Sequence, residues 1–131
     1  MSCKITCTYE GDGQTRLVHG PSGAQITTDL PPDNGGKGRA FSPTDLFAAS
    51  LGSCILTIMG SAAQKYGHDL KGAAIAVEKE MSASPRRVGK LTLKITLPQH
   101  IGAADRKKYL EYIKACPVHR SLHPDIVVEI I

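Results

Sequence analysis

Two cysteines far apart in the chain carry the side chains best suited to covalent chemistry. Cys54 lies in an apolar stretch of small residues, and Cys116 directly precedes Pro117. A residue before proline is disfavoured in helical conformation, so Cys116 is expected where one helix ends and another turn begins. Unpaired N–H groups of that turn, with His119 and Arg120 as nearby cations, would favour a thiolate. If the two cysteines meet in the fold, they can form a reversible disulfide.

Two other interpretations of these cysteines stay open at this point. Free cysteine is among the most buried residue types, so Cys54 alone also fits a small core residue. Cys116, His119 and His123 offer three metal ligands within eight residues, and Cys54 could be a fourth. Structural zinc sites usually have two paired ligand clusters, which this pattern lacks. The pattern is thus weak for a metal site, which stays an alternative to the redox pair at this point.

The remaining sequence holds no other catalytic motif. Cys3 and Cys7 lie four residues apart in an apparent strand, which suits neither a zinc knuckle nor a disulfide. There is no glycine-rich phosphate loop before a helix, no serine-hydrolase elbow and no paired-carboxylate signature.

The elements that must position the cysteines alternate between strands and helices. Three short strands are predicted in the first thirty residues, ending with 24–28, followed by an irregular, mobile loop rich in Gly and Pro at 31–38. Ser42 is a predicted N-cap for a helix that begins at Pro43 and ends at Gly67. The rest of the chain is predicted to form two strands, a helix, a short turn and a last strand, over 70–81, 88–97, 103–115, from Pro117, and over 126–131. This order predicts a single α+β domain over residues 1–131.

Composition narrows the class of protein. The 131 residues are 41% hydrophobic and 21% charged, which is ordinary globular usage and argues against disorder. The net charge of +4 is scattered, and aromatic residues are few, with no Trp. A base-stacking nucleic-acid surface needs exposed rings among cations, so no nucleic-acid partner is expected.

The start of the chain and its most apolar stretch bear on location. No apolar signal-peptide region is visible near Met1, so we expect a cytoplasmic protein with reduced thiols. The stretch 46–63 has no charged residue and approaches membrane-spanning length. Its Ser, Thr and Gly residues favour a buried helix of a soluble protein, so no membrane partner is expected.

Both cysteine segments resemble one known family. The stretch 41–54, FSPTDLFAASLGSC, resembles the first-cysteine motif of the OsmC/Ohr family, the osmotically inducible and organic hydroperoxide resistance proteins. The stretch 116–122, CPVHRSL, is similar to the second-cysteine motif of that family. The order of elements matches along nearly the whole chain.

The resemblance implies a fold, an assembly and an activity. The fold would be α+β, with antiparallel sheets around a long buried central helix in an intertwined homodimer. The activity would be a thiol-dependent peroxidase for small organic hydroperoxides, with Cys54 attacking, Cys116 resolving and an external dithiol as reductant. It would need no metal and no organic cofactor. Such a protein would serve oxidative-stress defence. A non-catalytic member that binds a small hydrophobic ligand or senses redox state is the alternative.

The family also uses an arginine to hold the thiolate and a glutamate to orient the arginine. Arg16 lies in the early strand region where this arginine is expected, and Arg39 is the other candidate. The glutamate position falls at Thr44, which carries no charge, and Asp45 is the carboxylate next to it. Cys54, Cys116, Arg16 and Asp45 are therefore the predicted site.

Overall fold

The first part of the chain is a three-stranded meander with tight turns. The computed structural model describes residues 1–131 and contains β1 (Ile5–Gly11), β2 (Gln14–His19) and β3 (Gln25–Asp29), paired antiparallel in that order. Gly11, Asp12 and Gly13 at the first turn have φ of 88°, 53° and 79°, a region that glycine enters without cost. The predicted strand meander is confirmed.

The loop rich in Gly and Pro is irregular, as predicted, but it is tied by backbone hydrogen bonds. A short 3₁₀ turn covers Pro32–Asn34. The Gly36 N–H donates to the Pro31 carbonyl at 2.9 Å, and the Gly38 N–H donates to the Leu30 carbonyl at 3.1 Å. The loop therefore folds back on its own start instead of extending away.

Helix α1 spans Pro43–Lys65 and begins with the predicted cap. The Ser42 hydroxyl accepts the Asp45 N–H at 3.0 Å, and the Asp45 carboxylate accepts the Ser42 N–H at 2.9 Å. This reciprocal pair satisfies two backbone donors that the first turn leaves unpaired. Past the end of α1, Gly67 has φ 70°, the left-handed conformation common after helices.

A second sheet of three strands follows α1. Strands β4 (Ala74–Ser82) and β5 (Arg87–Thr96) are antiparallel, whereas β6 (Val127–Ile130) pairs parallel to β5. The prediction of purely antiparallel sheets is thus wrong at the last strand. The chain between β5 and β6 is a long helical connection, which lets β6 return in the same direction as β5.

The connection is helical over 103–115 and again from Pro117, as predicted, but the first helix is not α-helical throughout. Helix α2 spans Ala103–Leu110, tightens into a 3₁₀ turn over Glu111–Ala115, and is followed by α3 at Pro117–Arg120. Cys116 between them is extended, with φ −66° and ψ 121°. A residue before proline avoids the helical region, so the helix must end there, and its last turn winds tighter.

The core of the C-terminal part forms between one stripe of α1, the second sheet and the connection. Its fully buried members, each 0% exposed, are Leu51, Ile55, Met59, Leu91, Leu93, Tyr109 and Cys116. A side chain at Gly52 would meet Val77 Cγ2 at 3.0 Å, so glycine permits close approach of α1 to β4. Backbone contacts group the chain into two units, Met1–Leu46 and Phe47–Ile131. The α+β class is confirmed, and the single domain stays a prediction.

The long helix α1 is only partly covered by the rest of the chain. It is long and apolar enough to cross a membrane by length and composition, and 39% of its most apolar 18-residue window is buried. The buried stripe packs on a sheet of its own unit, which is the arrangement of a core helix.

Candidate active site

Cys54 packs against the buried cluster that contains Cys116, and its side chain is close enough to raise the pKa of the Cys116 thiol. Both cysteines are free thiols. Cys54 is partly exposed, whereas Cys116 is 0% exposed. The fold therefore brings two cysteines that are far apart in sequence into one neighbourhood, and a disulfide between them stays a prediction.

Different elements hold the two sulfur atoms in place. Cys54 lies in the middle of α1, and its side chain packs against the buried core. Cys116 caps α3, where its Sγ accepts the His119 N–H at 3.4 Å. The sequence argument from Pro117 therefore predicted the backbone of Cys116 and the donor beside its sulfur correctly.

The net electrostatic effect on Cys116 is opposite to the predicted one. Burial raises the pKa of the Cys116 thiol, and the nearby Cys54 side chain raises it further. The N–H groups of Val118 and His119 act in the other direction but with less effect. Arg120, predicted as a helping cation, donates from Nε to the Lys114 carbonyl at 3.0 Å instead. Cys116 is thus held as a neutral thiol.

The metal interpretation of this segment is wrong. The structure places no three His, Cys, Asp or Glu side chains where they could hold a metal ion together. Cys116 is buried, whereas the side chain of His123 is 68% exposed, and its Nδ1 accepts the Asp125 N–H at 3.1 Å. The spacing of Cys116, His119 and His123 suggested three ligands of one metal, but the turn after α3 directs His123 to solvent, away from the buried Cys116.

The family model of OsmC-like proteins matches residues 35–131, which include both cysteines and the helices that carry them. The chain belongs to the OsmC-like family. No curated protein matches it in sequence.

Solved structures similar to this OsmC-like chain cover it almost completely. A Psychrobacter arcticus protein, provisionally described as an osmotic stress induced and detoxification response protein, is 44% identical with a TM-score of 0.92, covering 97% of this chain and 93% of its own. An OsmC-like protein from Mycoplasma pneumoniae is 20% identical with a TM-score of 0.79, covering 100% and 95%. The organic hydroperoxide resistance protein OsmC from Legionella pneumophila is 17% identical with a TM-score of 0.78, covering 99% and 95%. The last two likenesses show the shared fold.

The two candidate arginines of this OsmC-like protein have different partners. Arg16 Nε donates to the Glu10 carboxylate at 2.6 Å, and both side chains are more than 40% exposed. Arg39 donates from Nε and Nη2 to the fully buried carboxylate of Asp29 and from Nη1 to Asp12. Arg39 therefore neutralises a buried charge, whereas Arg16 has one exposed partner.

Thr44 and Asp45, at and next to the position of the family's glutamate, contact the N-cap residue of α1. Asp45 forms the capping pair with Ser42, and the Thr44 hydroxyl lies 3.2 Å from that of Ser42. Capping gives Asp45 a structural function that needs no catalysis. Its assignment to the catalytic set stays a prediction.

Sequence reasoning missed the two carboxylates that hold the arginines. Glu10 and Arg16 lie on opposite strands of the first hairpin, in which Thr8 pairs with Arg16. Once the Gly11–Gly13 turn is recognised, this register follows, so the Glu10 pair could have been found. The burial of Asp29 had no such signal, because it depends on the folding of the loop that brings Arg39 back.

Proposed function

We propose that this OsmC-like protein is a thiol-dependent peroxidase that reduces organic hydroperoxides through Cys54 and Cys116, in oxidative-stress defence in the cytoplasm. The observation that carries the proposal is the packing of the partly exposed Cys54 against the cluster that contains the buried Cys116. Organic hydroperoxide resistance proteins of Legionella pneumophila, Elizabethkingia anophelis and Bacillus subtilis share the fold.

The difference in solvent exposure suggests which cysteine attacks the peroxide and which one resolves the intermediate. A peroxide must reach the attacking sulfur, and Cys54 is the accessible member of the pair. Cys116 is sealed from solvent, and its raised pKa keeps it a neutral thiol beside Cys54. A buried neutral thiol is inert toward peroxide in solution, so Cys116 is preserved for the resolving step.

The chemistry balances without a metal or an organic cofactor. The Cys54 thiolate attacks the distal oxygen of the hydroperoxide, the O–O bond breaks, and the alkoxide leaves and takes a proton as an alcohol. Cys54 is then a sulfenic acid. The Cys116 sulfur attacks it, an S–S bond forms, and water leaves. An external dithiol reduces the disulfide and is itself oxidised.

Arg16 is the cation we assign to the Cys54 thiolate. Arg39 is bound to the buried Asp29 and to Asp12, so moving it would leave a buried carboxylate without its cation. Arg16 can be recruited at lower cost, because its pair with Glu10 is exposed and such pairs contribute little to stability.

A homodimer is the assembly that best accounts for the surface of α1. Most of its apolar window is not buried by its own chain, and Phe47 is 38% exposed. A second copy of the chain packed on α1 would cover this surface, as the family resemblance implies. Light scattering should give twice the 14.0 kDa of one chain at micromolar concentration, and a mass of 14.0 kDa would contradict the dimer.

A non-catalytic protein that binds a small hydrophobic ligand or senses redox state is the second candidate. The N-terminal unit holds an apolar pocket of about 160 Å³, lined by Ile26, Thr27, Thr28, Phe41 and Leu46. The uncharged Thr44 at the family's glutamate position also favours this candidate. Turnover of hydroperoxide no faster than that of a free thiol would support it over the peroxidase.

The deciding experiment is intact mass before and after one equivalent of cumene hydroperoxide. The reduced protein should lose two hydrogens, and digestion should locate the new bond between Cys54 and Cys116. A Cys116→Ser variant should instead gain one oxygen at Cys54 and stop after a single turnover. The matched control is Cys7→Ser, which removes an exposed cysteine from β1 and should behave like the wild type. Unchanged mass, or scattered oxidation that includes Cys3 and Cys7, would overturn the peroxidase.

A further inference from the structure

Resting on the proposed function, we infer that the external dithiol attacks the Sγ of Cys54 in the oxidised protein and that Cys116 is the leaving group, assisted by the His119 N–H. The alternative is attack on Cys116 with Cys54 leaving. Each sulfur of a disulfide can be attacked in principle, and access and leaving-group stability decide between them.

Access distinguishes the two sulfur atoms clearly. Cys116 is 0% exposed and belongs to the buried cluster that includes Tyr109 and Ile113. Thiol exchange needs the attacking sulfur to approach along the line of the S–S bond. A reductant that attacked Cys116 would therefore have to enter the core, whereas Cys54 is partly exposed in the single chain. The proposed dimer must leave this opening to Cys54 free.

The leaving sulfur has a donor already in place. In the reduced protein the His119 N–H points to the Cys116 Sγ at 3.4 Å. A charge-assisted hydrogen bond is about twice as strong as a neutral one, so this contact strengthens as negative charge develops on the departing sulfur. It offsets part of the penalty that burial imposes on that charge.

The raised pKa of Cys116 by itself makes it the poorer leaving group, so the direction depends on access and on the backbone donor. The protons of the exchange still balance. One thiolate of the dithiol bonds to Cys54, the Cys54–Cys116 bond breaks, and Cys116 leaves as a thiolate. The raised pKa of Cys116 makes it take the proton of the second thiol of the dithiol. That second sulfur, now a thiolate, closes a cyclic disulfide on the reductant and releases Cys54.

Mapping a trapped mixed disulfide tests the direction of attack. Diamide would oxidise the purified protein to the Cys54–Cys116 disulfide, and excess glutathione, a monothiol, would then be added. Early samples would be quenched in acid, alkylated and digested. We expect glutathione on Cys54 and the alkyl group on Cys116, by about tenfold over the reverse pattern. The reverse pattern, an even distribution, or failure of diamide to form the disulfide would overturn the inference.

A pair of variants tests the assistance from the backbone donor. His119→Pro removes the N–H, but it also disfavours the helical conformation of Val118, so the variants are compared at equal melting temperature. His119→Ala loses the same side chain but keeps the N–H. We expect glutathione to reduce the disulfide about tenfold more slowly in His119→Pro than in His119→Ala. Equal rates in variants of equal melting temperature would overturn this assistance, and the peptide map of the wild type stands independently of how either variant folds.

Oxidation by diamide separates this inference from the proposed function. The disulfide forms in this experiment without any peroxide. A protein that fails to turn over cumene hydroperoxide and still carries glutathione on Cys54 would overturn the peroxidase alone. A protein that turns over peroxide and carries glutathione on Cys116 would overturn the inference alone.

Discussion

The N-terminal unit and the C-terminal unit of this OsmC-like protein each contain two cysteines and treat them in opposite ways. Cys3 and Cys7 are exposed and lie at or near the first edge strand. Cys54 and Cys116 are far apart in sequence and close together in the fold. The N-terminal unit instead buries a charge, the carboxylate of Asp29 under Arg39. Cys3 and Cys7 are close in sequence but lie at an exposed edge, whereas Cys54 and Cys116 are brought together by the packing of two helical segments. The fold, and not spacing in the sequence, therefore determines which cysteines can react with each other.

The largest effect should come from removing one cysteine of each unit in turn. We expect Cys54→Ser to lower peroxide turnover by at least about a thousandfold, because a serine hydroxyl at neutral pH is not a nucleophile toward peroxide. Cys7→Ser should keep the wild-type rate, since its thiol touches no other. The assay is steady-state consumption of cumene hydroperoxide with excess dithiol. Full activity in Cys54→Ser would show that Cys54 is not the attacking cysteine, and the contrast between the cysteines of the two units would then be wrong.

Alkylation measures the same contrast without any enzymatic assay. Under native conditions iodoacetamide should label Cys116 at least about a hundredfold more slowly than Cys7, since only exposed thiolate reacts. Because burial raises the pKa of Cys116, its rate should still increase with pH beyond the usual value of 9.0. Peptide mapping over a pH series gives both rates. Similar rates at Cys116 and Cys7 would show that the core around Cys116 opens freely.

Features that depend on neighbouring residues could be predicted from the sequence, whereas features that depend on the packing of distant segments could not. Local rules were sufficient for the Ser42 cap, the Gly67 end of α1 and the extended Cys116 before Pro117. They failed where distant segments meet: the parallel pairing of β6 and the sealing of Cys116 depend on how the connection packs on the sheet. Burial of Cys116 reversed the expected electrostatic effect, because desolvation exceeds what two backbone donors supply.

The two arginines of the N-terminal unit allow a finer test, because one should matter for stability and the other for turnover. Arg39→Gln leaves the buried Asp29 without its cation, so the melting temperature at neutral pH should fall. Arg16→Gln breaks only an exposed pair with Glu10 and should change the melting temperature little. Peroxide turnover should show the opposite order, with Arg16→Gln the slower enzyme.

The pH dependence of this stability difference has a definite sign. Arg39 lowers the pKa of Asp29 from 3.8 to about 2, so the carboxylate stabilises the folded state fully above 3.8 and loses that contribution as pH falls toward about 2. In Arg39→Gln the cation is gone, so the pKa of Asp29 is lowered only by the backbone N–H groups of residue 39 and Leu30. The gap in melting temperature between wild type and Arg39→Gln should therefore be widest above pH 3.8 and close as pH approaches about 2. Thermal melts of both proteins over this pH range, at matched ionic strength, measure the gap. A gap that stays constant would mean that Arg39 stabilises the fold through packing of its side chain and that the charge of Asp29 does not depend on it.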